Sequence, residues 1–193
     1  VLVLADAEGA HADAARGVLF RRAYCATPHT SYSLASVMLG THARSVLALP
    51  GASGRRGTLA TWLGDAGYVT AGFFPPAVFA VDGARFGELR ARRFGFATVT
   101  EGYADAPERV REVDRWLDGV PAHRRVFAWV HLFEPHEPYV AHREHPYGAD
   151  REARYDAECG AADDGVAALR ETFQRHRRRV FWVITADHGE EFG

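Results

Sequence analysis

Short apolar runs alternate with segments of helical spacing along the chain. Residues 1–5 form an apolar, partly β-branched run that ends at a carboxylate, which is typical of a buried parallel strand. Residues 58–66 carry apolar side chains at helical spacing and stop before a glycine, which indicates an amphipathic helix. The same reasoning predicts further strands at residues 18–24, 68–74, 126–132 and 180–184, and further helices at residues 8–16, 31–39, 107–117 and 152–175.

Residues 75–103 show no clear period. Phenylalanines are scattered there among arginines and glycines, and the pattern predicts loops with short elements. Elsewhere the alternation predicts an α/β fold, with a largely parallel, doubly wound sheet and helices on both faces. We expect residues 1–193 to form a single domain, with functional residues beyond the carboxyl ends of the strands.

Composition narrows the class of protein. A chain of 193 residues suits one α/β domain, and 47% hydrophobic with 25% charged residues indicates a folded protein rather than a disordered one. A net charge of -2 gives no reason to expect nucleic acid as a partner. No apolar run approaches the ~20 residues that span a bilayer, and no signal peptide precedes Val1. The two cysteines, Cys25 and Cys159, match no zinc motif and are expected to be ordinary thiols.

Two of the predicted strands end in metal-ligating residue types. Asp6 follows the first strand, and Asp187 and His188 follow the last one. A carboxylate beside an imidazole suits a hard or borderline divalent metal ion. Each feature also has a plain structural explanation, because aspartates commonly cap helices and form turns.

Hydroxyl groups gather where the helix over residues 31–39 begins, in the run TSYSLAS that starts at Thr30. Their ordinary role would be helix capping. A chemical role would combine a hydroxyl nucleophile with the anion-attracting N-terminus of a helix. Because a threonine hydroxyl is a poor nucleophile at neutral pH, Thr30 makes chemical sense only beside a metal ion.

A proline-framed loop follows the central strand over residues 126–132. The prolines restrict this loop, in which His136 stands between Pro135 and Pro138. A displayed imidazole can bind an ester oxygen or protonate a leaving group. The neighbouring His131 and Glu134 are expected to be mainly surface residues.

These pieces occur in the order VLVLAD, PHTSYSLAS, HLFEPHEPY and ADHGEEFG. In this order they resemble the sulfatase branch of the alkaline phosphatase superfamily, and the likeness runs nearly from end to end. It implies a catalytic domain that cleaves sulfate or phosphate esters. It also implies that Asp6, Asp187 and His188 are metal ligands. Thr30 would be the nucleophile that also touches the metal, and His136 would bind the substrate.

Departures from the family pattern narrow the subclass. Sulfatases that use formylglycine carry Cys or Ser followed by x-Pro-x-Arg, whereas this chain has Thr30 and, at the arginine position, Leu34. No formylglycine is therefore expected. A threonine nucleophile resembles that of the phosphoethanolamine and phosphoglycerol transferases and implies a phosphorylated Thr30 as intermediate. One divalent ion is expected, with calcium, manganese and zinc all compatible and the imidazole favouring manganese or zinc.

Other departures from the family pattern favour a different hypothesis about function. Ala7 stands where the family usually has a second acidic or hydroxyl residue, and the chain has no lysine to match the family's active-site lysines. The chain also ends soon after Asp187 and His188, so we expect a fragment of the domain. The alternative is a degenerate or truncated domain that binds a metal or a partner without turnover.

The resemblance also implies a cellular setting and a substrate class. It suggests a periplasmic or extracytoplasmic location, and a small-molecule or lipid-head-group ester as substrate. Membrane association is expected only through segments absent from this sequence. The sequence makes no prediction of oligomeric state.

Overall fold

The structure is a computed structural model that describes residues 17–42, 57–79 and 83–192, together with the backbone of residues 2–5. Five strands form one sheet in this part of the chain. They are β1 (Leu2–Ala5), β2 (Val69–Phe74), β3 (Thr98–Glu101), β4 (Val126–Leu132) and β5 (Val183–Thr185).

Five α-helices connect or flank these strands within the described ranges. They are α1 (Thr30–Leu39), α2 (Leu59–Asp65), α3 (Gly83–Ala91), α4 (Ala106–Asp118) and α5 (Arg151–Arg175). Short 3-10 turns cover Pro76–Phe79 and Arg93–Gly95. No helix in these ranges is long and apolar enough to cross a membrane.

All strand pairs of the sheet are parallel, in the order β3-β2-β4-β1-β5. In the register, Leu4 of β1 lies opposite His131 of β4 on one side and opposite Thr185 of β5 on the other. The carboxyl ends of these three strands therefore meet at one edge, where parallel α/β sheets carry their sites.

Helices cover both faces of the sheet. On one face, α1, α2 and the short elements after β2 pack on Phe74, Phe127 and Trp129. On the other face, α4 and α5 pack on alternate strand residues such as Phe73 and Val130. This two-sided burial explains the continuous apolar runs of β2 and β4 and confirms the predicted doubly wound fold.

The two longest helices begin at aspartates. Asp105 Oδ1 accepts from the backbone N–H of Glu108 at the start of α4, and Asp150 Oδ1 accepts from Ala153 at the start of α5. These N-caps satisfy N–H groups that have no partner within the helix, and they fix where each helix begins. The ends of α4 and α5 agree with the predicted segments to within a residue.

The strand predicted at residues 18–24 is wrong. The backbone of this segment is irregular, and Val18, Phe20 and Tyr24 are 80%, 77% and 87% exposed. A strand forms only where a neighbouring strand pairs with it, and none does so here among the described residues. The helix predicted at residues 8–16, together with Asp6 and Ala7, lies outside the described residues.

Residues 75–103 contain more regular structure than predicted, because α3 and β3 both form there. Strand β3 is short and mostly exposed, so its alternation is weak. The last strand is shorter than the predicted residues 180–184: β5 covers only Val183–Thr185.

Candidate functional site

Thr30 is the first residue of α1 and stands at the carboxyl edge of the sheet. His29 precedes it in extended backbone and provides no side-chain cap. The backbone N–H groups of the first turn therefore keep the helix dipole's positive end open toward the edge of the sheet. The helix is held in place by the burial of Leu34, Ala35 and Met38 against the sheet.

Two contacts join the start of α1 to the turn after β5. Thr30 Oγ1 lies 3.0 Å from His188 Nε2, although the two residues are 158 apart in sequence. Ser33 Oγ, one turn further along α1, donates to the backbone carbonyl of Asp187 over 2.5 Å. The structure thus brings together three of the predicted site residues, Thr30, Asp187 and His188.

A contact of its second nitrogen, Nδ1, determines which nitrogen of the His188 ring carries the proton. Nδ1 of His188 lies 2.9 Å from the carbonyl oxygen of Gly189. Because a carbonyl only accepts, Nδ1 carries the proton in the neutral ring, and Nε2 presents its lone pair to Thr30. The Thr30 hydroxyl then donates to His188, and its own lone pairs face away from the ring.

Asp187 is 1% exposed and stands beside the imidazole. Its Oδ1 accepts from the backbone N–H of His188 over 3.0 Å, and its Oδ2 lies 3.7 Å from His188 Nε2. Donor atoms that share one tetrahedral zinc ion at ~2.1 Å are themselves about 3.4 Å apart. His188 Nε2 lies 3.0 Å from Thr30 Oγ1 and 3.7 Å from Asp187 Oδ2. Both distances fit donor atoms that share one divalent ion.

The predicted ligand set is described only in part, because Asp6 lies outside the described residues. Within the described ranges, no group of three or more His, Cys, Asp or Glu side chains is placed to hold a metal ion. The donors present are the imidazole of His188, the carboxylate of Asp187 and the hydroxyl of Thr30. Asp6 follows Ala5, the last residue of β1, directly in sequence.

His136 lies on the loop after β4 and is exposed. Its Nδ1 is 2.7 Å from the Glu137 carbonyl, and its ring stacks on Phe133 with 4.4 Å between centroids. These contacts fix the ring and leave Nε2 as the lone-pair nitrogen of the neutral form. No hydrogen bond or ion pair joins His136 to Thr30 or His188 in the described part of the chain.

His131 is a residue whose position the sequence reasoning missed, because it was expected at the surface. It is 1% exposed, it follows Trp129 on the α1 face of β4, and neither ring nitrogen has a partner among the described residues. Burial lowers the pKa of His131 to about 4, the Asp187 charge opposes this shift, and the charges of Arg109, His136 and His188 add to it. A histidine inside an otherwise apolar strand was the available signal.

Burial also shifts the pKa of Glu134, which lies at the start of the loop that carries His136. This carboxylate is largely buried and accepts from the backbone N–H of Ala106, the first residue of α4. Its burial raises its pKa, and the hydrogen bond from Ala106 partly offsets that effect. The His136 loop is therefore fastened to α4 by a group that was also expected at the surface.

An open cleft of about 680 Å³ lies between this loop and the start of α5. It is lined by His136, Glu137, Pro138, Tyr139, Ala149, Arg151 and Arg154. Burial and the nearby Glu190 carboxylate raise the pKa of Tyr139 well above its usual range, so that Tyr139 stays neutral.

The fold defines a class. A parallel sheet between two helical layers is shared with a solved protein of the alkaline phosphatase superfamily. A family model described as Sulfatase matches residues 10–193, and the chain belongs to that family.

Solved structures share the fold at low sequence identity. The C-terminal periplasmic domain of EcEptC from Escherichia coli, in complex with Zn, is 18% identical with a TM-score of 0.70, over 98% of this chain and 64% of that one. An alkaline phosphatase superfamily protein from Vibrio parahaemolyticus is 18% identical with a TM-score of 0.66, over 100% of this chain and 55% of that one.

A third solved structure, Ps i-CgsB in complex with k-i-k-neocarrahexaose, is 16% identical with a TM-score of 0.63, over 96% of this chain and 57% of that one. The chain thus spans between 55% and 64% of the length of these three proteins. No curated protein matches the sequence significantly.

Proposed function

We propose that this chain is the catalytic part of a metal-dependent hydrolase or transferase that acts on sulfate or phosphate esters, with Thr30 as nucleophile. The observation that carries the proposal is the 3.0 Å contact between Thr30 Oγ1 and His188 Nε2 at the N-terminus of α1. A hydroxyl placed at an open helix N-terminus, beside a buried carboxylate and an imidazole, suits attack on an anionic ester.

A divalent ion fits the donors that are present, and Thr30, Asp187, His188 and Asp6 would hold it. When bound, such an ion lowers the pKa of a hydroxyl and polarises an ester oxygen. Zinc or manganese suits an imidazole together with carboxylates. EcEptC, whose solved domain is a complex with Zn, has the same fold.

The reaction proposed for a phosphate ester proceeds in two displacements. The Thr30 hydroxyl releases its proton to solvent, Oγ1 forms a bond to phosphorus, and the bond from phosphorus to the alcohol oxygen breaks. The departing oxygen takes a proton from Nε2 of His136 in its imidazolium form. The oxygen of water or of an acceptor alcohol then bonds to phosphorus and loses its proton to solvent, while the bond from phosphorus to Thr30 Oγ1 breaks. Thr30 and His136 each take a proton from solvent, which completes the cycle.

The N-terminus of α1 contributes to the same step. Its first-turn N–H groups lie beside the Thr30 oxygen and would donate to the non-bridging oxygens of the ester. Such donors stabilise charge that develops in the transition state, which is a large term in catalysis. Thr30 and Leu34 do not match the Cys/Ser-x-Pro-x-Arg pattern of formylglycine sulfatases, so we propose an unmodified threonine as the nucleophile.

Substitution of Thr30 tests the proposal. Thr30→Ala should lower kcat by ~10³-fold or more on a chromogenic phosphodiester, while Thr30→Ser should retain much of the activity. Ser36→Ala on the same helix is the matched control, because Ser36 Oγ donates to its own helix carbonyl of Tyr32. After rapid quenching, mass spectrometry should find one phosphoryl group on the Thr30 peptide.

Full activity of Thr30→Ala on both phosphate and sulfate esters would rule out this nucleophile. Metal binding by the wild-type protein without turnover of either ester class would select the degenerate domain that Ala7 and the missing lysines suggest.

The setting and substrate follow from the same family membership. We propose a small-molecule or lipid-head-group ester as substrate and an extracytoplasmic, periplasmic location. The solved EcEptC domain is periplasmic, and Ps i-CgsB was solved with a neocarrahexaose.

A further inference from the structure

The open cleft beside His136 has an excess of positive charge. Two guanidinium groups, those of Arg151 and Arg154, line it from the first turn of α5, and one carboxylate, that of Glu137, lines it from the loop. Arg151 and Glu137 neutralise each other at 2.5 Å. Arg154, almost one helical turn further on, has no ion pair with any described residue and stays available to a ligand.

Aromatic rings hold the neutralised pair in place. The Arg151 guanidinium lies 5.8 Å from the Tyr139 ring centroid and 5.4 Å from that of Phe192. Cation–π contacts of this kind orient a guanidinium that would otherwise move freely. These contacts fix the Arg151 side of the cleft, and Arg154 is the lining arginine that has no ion pair among the described residues.

The segment after β5 links the cleft to the turn that carries His188. Phe192 follows His188 by four residues, and its ring contacts both Tyr139 at 6.2 Å and Tyr155 at 5.1 Å. His136 lines the cleft and is also the residue proposed to face the ester. A substrate bound at Thr30 would thus extend its alcohol portion past His136 into the cleft.

We propose that this cleft binds a second anionic group on the alcohol side of the substrate, with Arg154 as its main partner. The inference rests on the proposed function and adds a specificity to it. The substrate class is an ester whose alcohol carries a further phosphate, sulfate or carboxylate group. Arginine suits each of these, because its planar donors match two acceptor oxygens at once, and the N-terminus of α5 adds a favourable field.

A pair of substrates tests the cleft directly. 4-Ethylphenyl methyl phosphate and 4-(carboxymethyl)phenyl methyl phosphate differ chiefly in one carboxylate on the phenol that departs and would enter the cleft. The wild-type protein should favour the carboxylate-bearing ester in kcat/KM by about threefold to tenfold at low salt. Arg154→Gln should bring this ratio close to one and leave the ethylphenyl ester nearly unaffected.

Arg143→Gln is the matched control, because Arg143 is an exposed arginine near the same loop that does not line the cleft. It should preserve the preference. An unchanged preference in Arg154→Gln, with both esters still turned over, would overturn the inference and leave the proposed function intact.

Binding of inorganic phosphate covers the case in which neither ester is cleaved. Isothermal titration of the wild-type protein and of the two glutamine variants requires no turnover. Weaker phosphate binding in Arg154→Gln alone would support the cleft even though the ester chemistry had failed. Equal binding in all three proteins would overturn it.

Discussion

At the scale of single residues, the orientation of imidazole rings determines the chemistry of the site. His188 and His136 each direct Nδ1 toward a backbone carbonyl, at 2.9 and 2.7 Å. In both residues the lone pair of the neutral ring is then at Nε2, the nitrogen that faces Thr30 in His188. The backbone thus sets the protonation pattern of both rings before any substrate or metal ion binds.

His131 provides a pH-dependent contribution to stability. Its pKa is lowered to about 4 in the folded protein, so between pH ~6.5 and ~4 the unfolded chain binds the proton more tightly. The free energy of unfolding should therefore fall as the pH decreases through this window, by up to ~3 kcal/mol from this group. Urea unfolding of wild type and His131→Phe at several pH values measures it.

The His131→Phe variant removes two ring nitrogens that have no partner among the described residues. Its free energy of unfolding should therefore fall less steeply toward acid pH than that of the wild type. His123→Phe is the control, because His123 is exposed on the turn before β4. If the free energy of unfolding falls equally steeply toward acid pH in the wild type and in His131→Phe, the pH dependence does not come from His131.

Residue-level prediction from sequence began from short motifs and their order along the chain. The structure brings Thr30, Asp187 and His188 together, and their catalytic and metal-binding roles stay predictions. His131 was placed at the surface because it was taken as part of the polar loop, although it belongs to the otherwise apolar strand β4 and is buried with it. Glu134 was also placed at the surface, and its partner Ala106 begins a separate helix.

At the scale of elements, helix α5 holds the second half of the loop between β4 and α5. The Glu158 carboxylate is 3% exposed, accepts from the Val140 backbone N–H over 2.7 Å, and lies 3.1 Å from His142 Nε2. Further along, His145 Nε2 pairs with Asp164 at 2.8 Å. This loop carries His136, so its attachment bears on catalysis.

Removal of the buried carboxylate should loosen the His136 loop. Glu158→Ala leaves the Val140 N–H without an acceptor, which should cost about 1–3 kcal/mol of stability. The same change should lower kcat for esters through a misplaced His136, while Glu158→Gln should retain most of the activity. Hydrogen exchange across residues 134–147, together with kinetics, measures both effects.

Glu171→Ala is the control on the same helix, because Glu171 is exposed on α5. Unchanged exchange rates in the loop of Glu158→Ala would show that the carboxylate does not hold it.

Element prediction was best for long periodic helices. Helix α5 spans 25 residues, and its predicted start was one residue late. The strand predicted at residues 18–24 was wrong because apolar and aromatic residues such as Val18, Phe20 and Tyr24 form a strand only if a neighbouring strand pairs with them. Strand β3 was missed for the opposite reason, since it pairs with β2 despite a polar, exposed sequence.

At the scale of the whole molecule, the closeness of α5 to the sheet depends on one small residue. Gly165 is buried on α5, and a Cβ placed there would lie 2.8 Å from Ala106 Cβ and 3.2 Å from Leu132 Cδ1. The absence of a side chain lets α5, α4 and β4 meet. The layer on this face of the sheet is therefore packed too tightly to accept an added side chain.

Gly165→Val should destabilise the protein by about 1–3 kcal/mol through overpacking, although valine is the better helix former. Gly64→Ala in α2 is the contrasting change, because a Cβ at Gly64 meets no atom within 4 Å. It should stabilise the protein by roughly 0.5–1 kcal/mol. Urea midpoints of both variants measure the difference, and a stabilised Gly165→Val would contradict the close packing.

The pairing of β1 with β5 has a consequence for how the protein becomes active. Leu2 lies beside Val183 in the sheet, and Thr30 meets a partner 158 residues away. Contacts of such long range form late and slowly in folding, after the local helices and hairpins. A chain still emerging from the ribosome would hold Thr30 without the imidazole that faces it. The ester cleavage that we propose for Thr30 would then begin only after β5 has paired with β1.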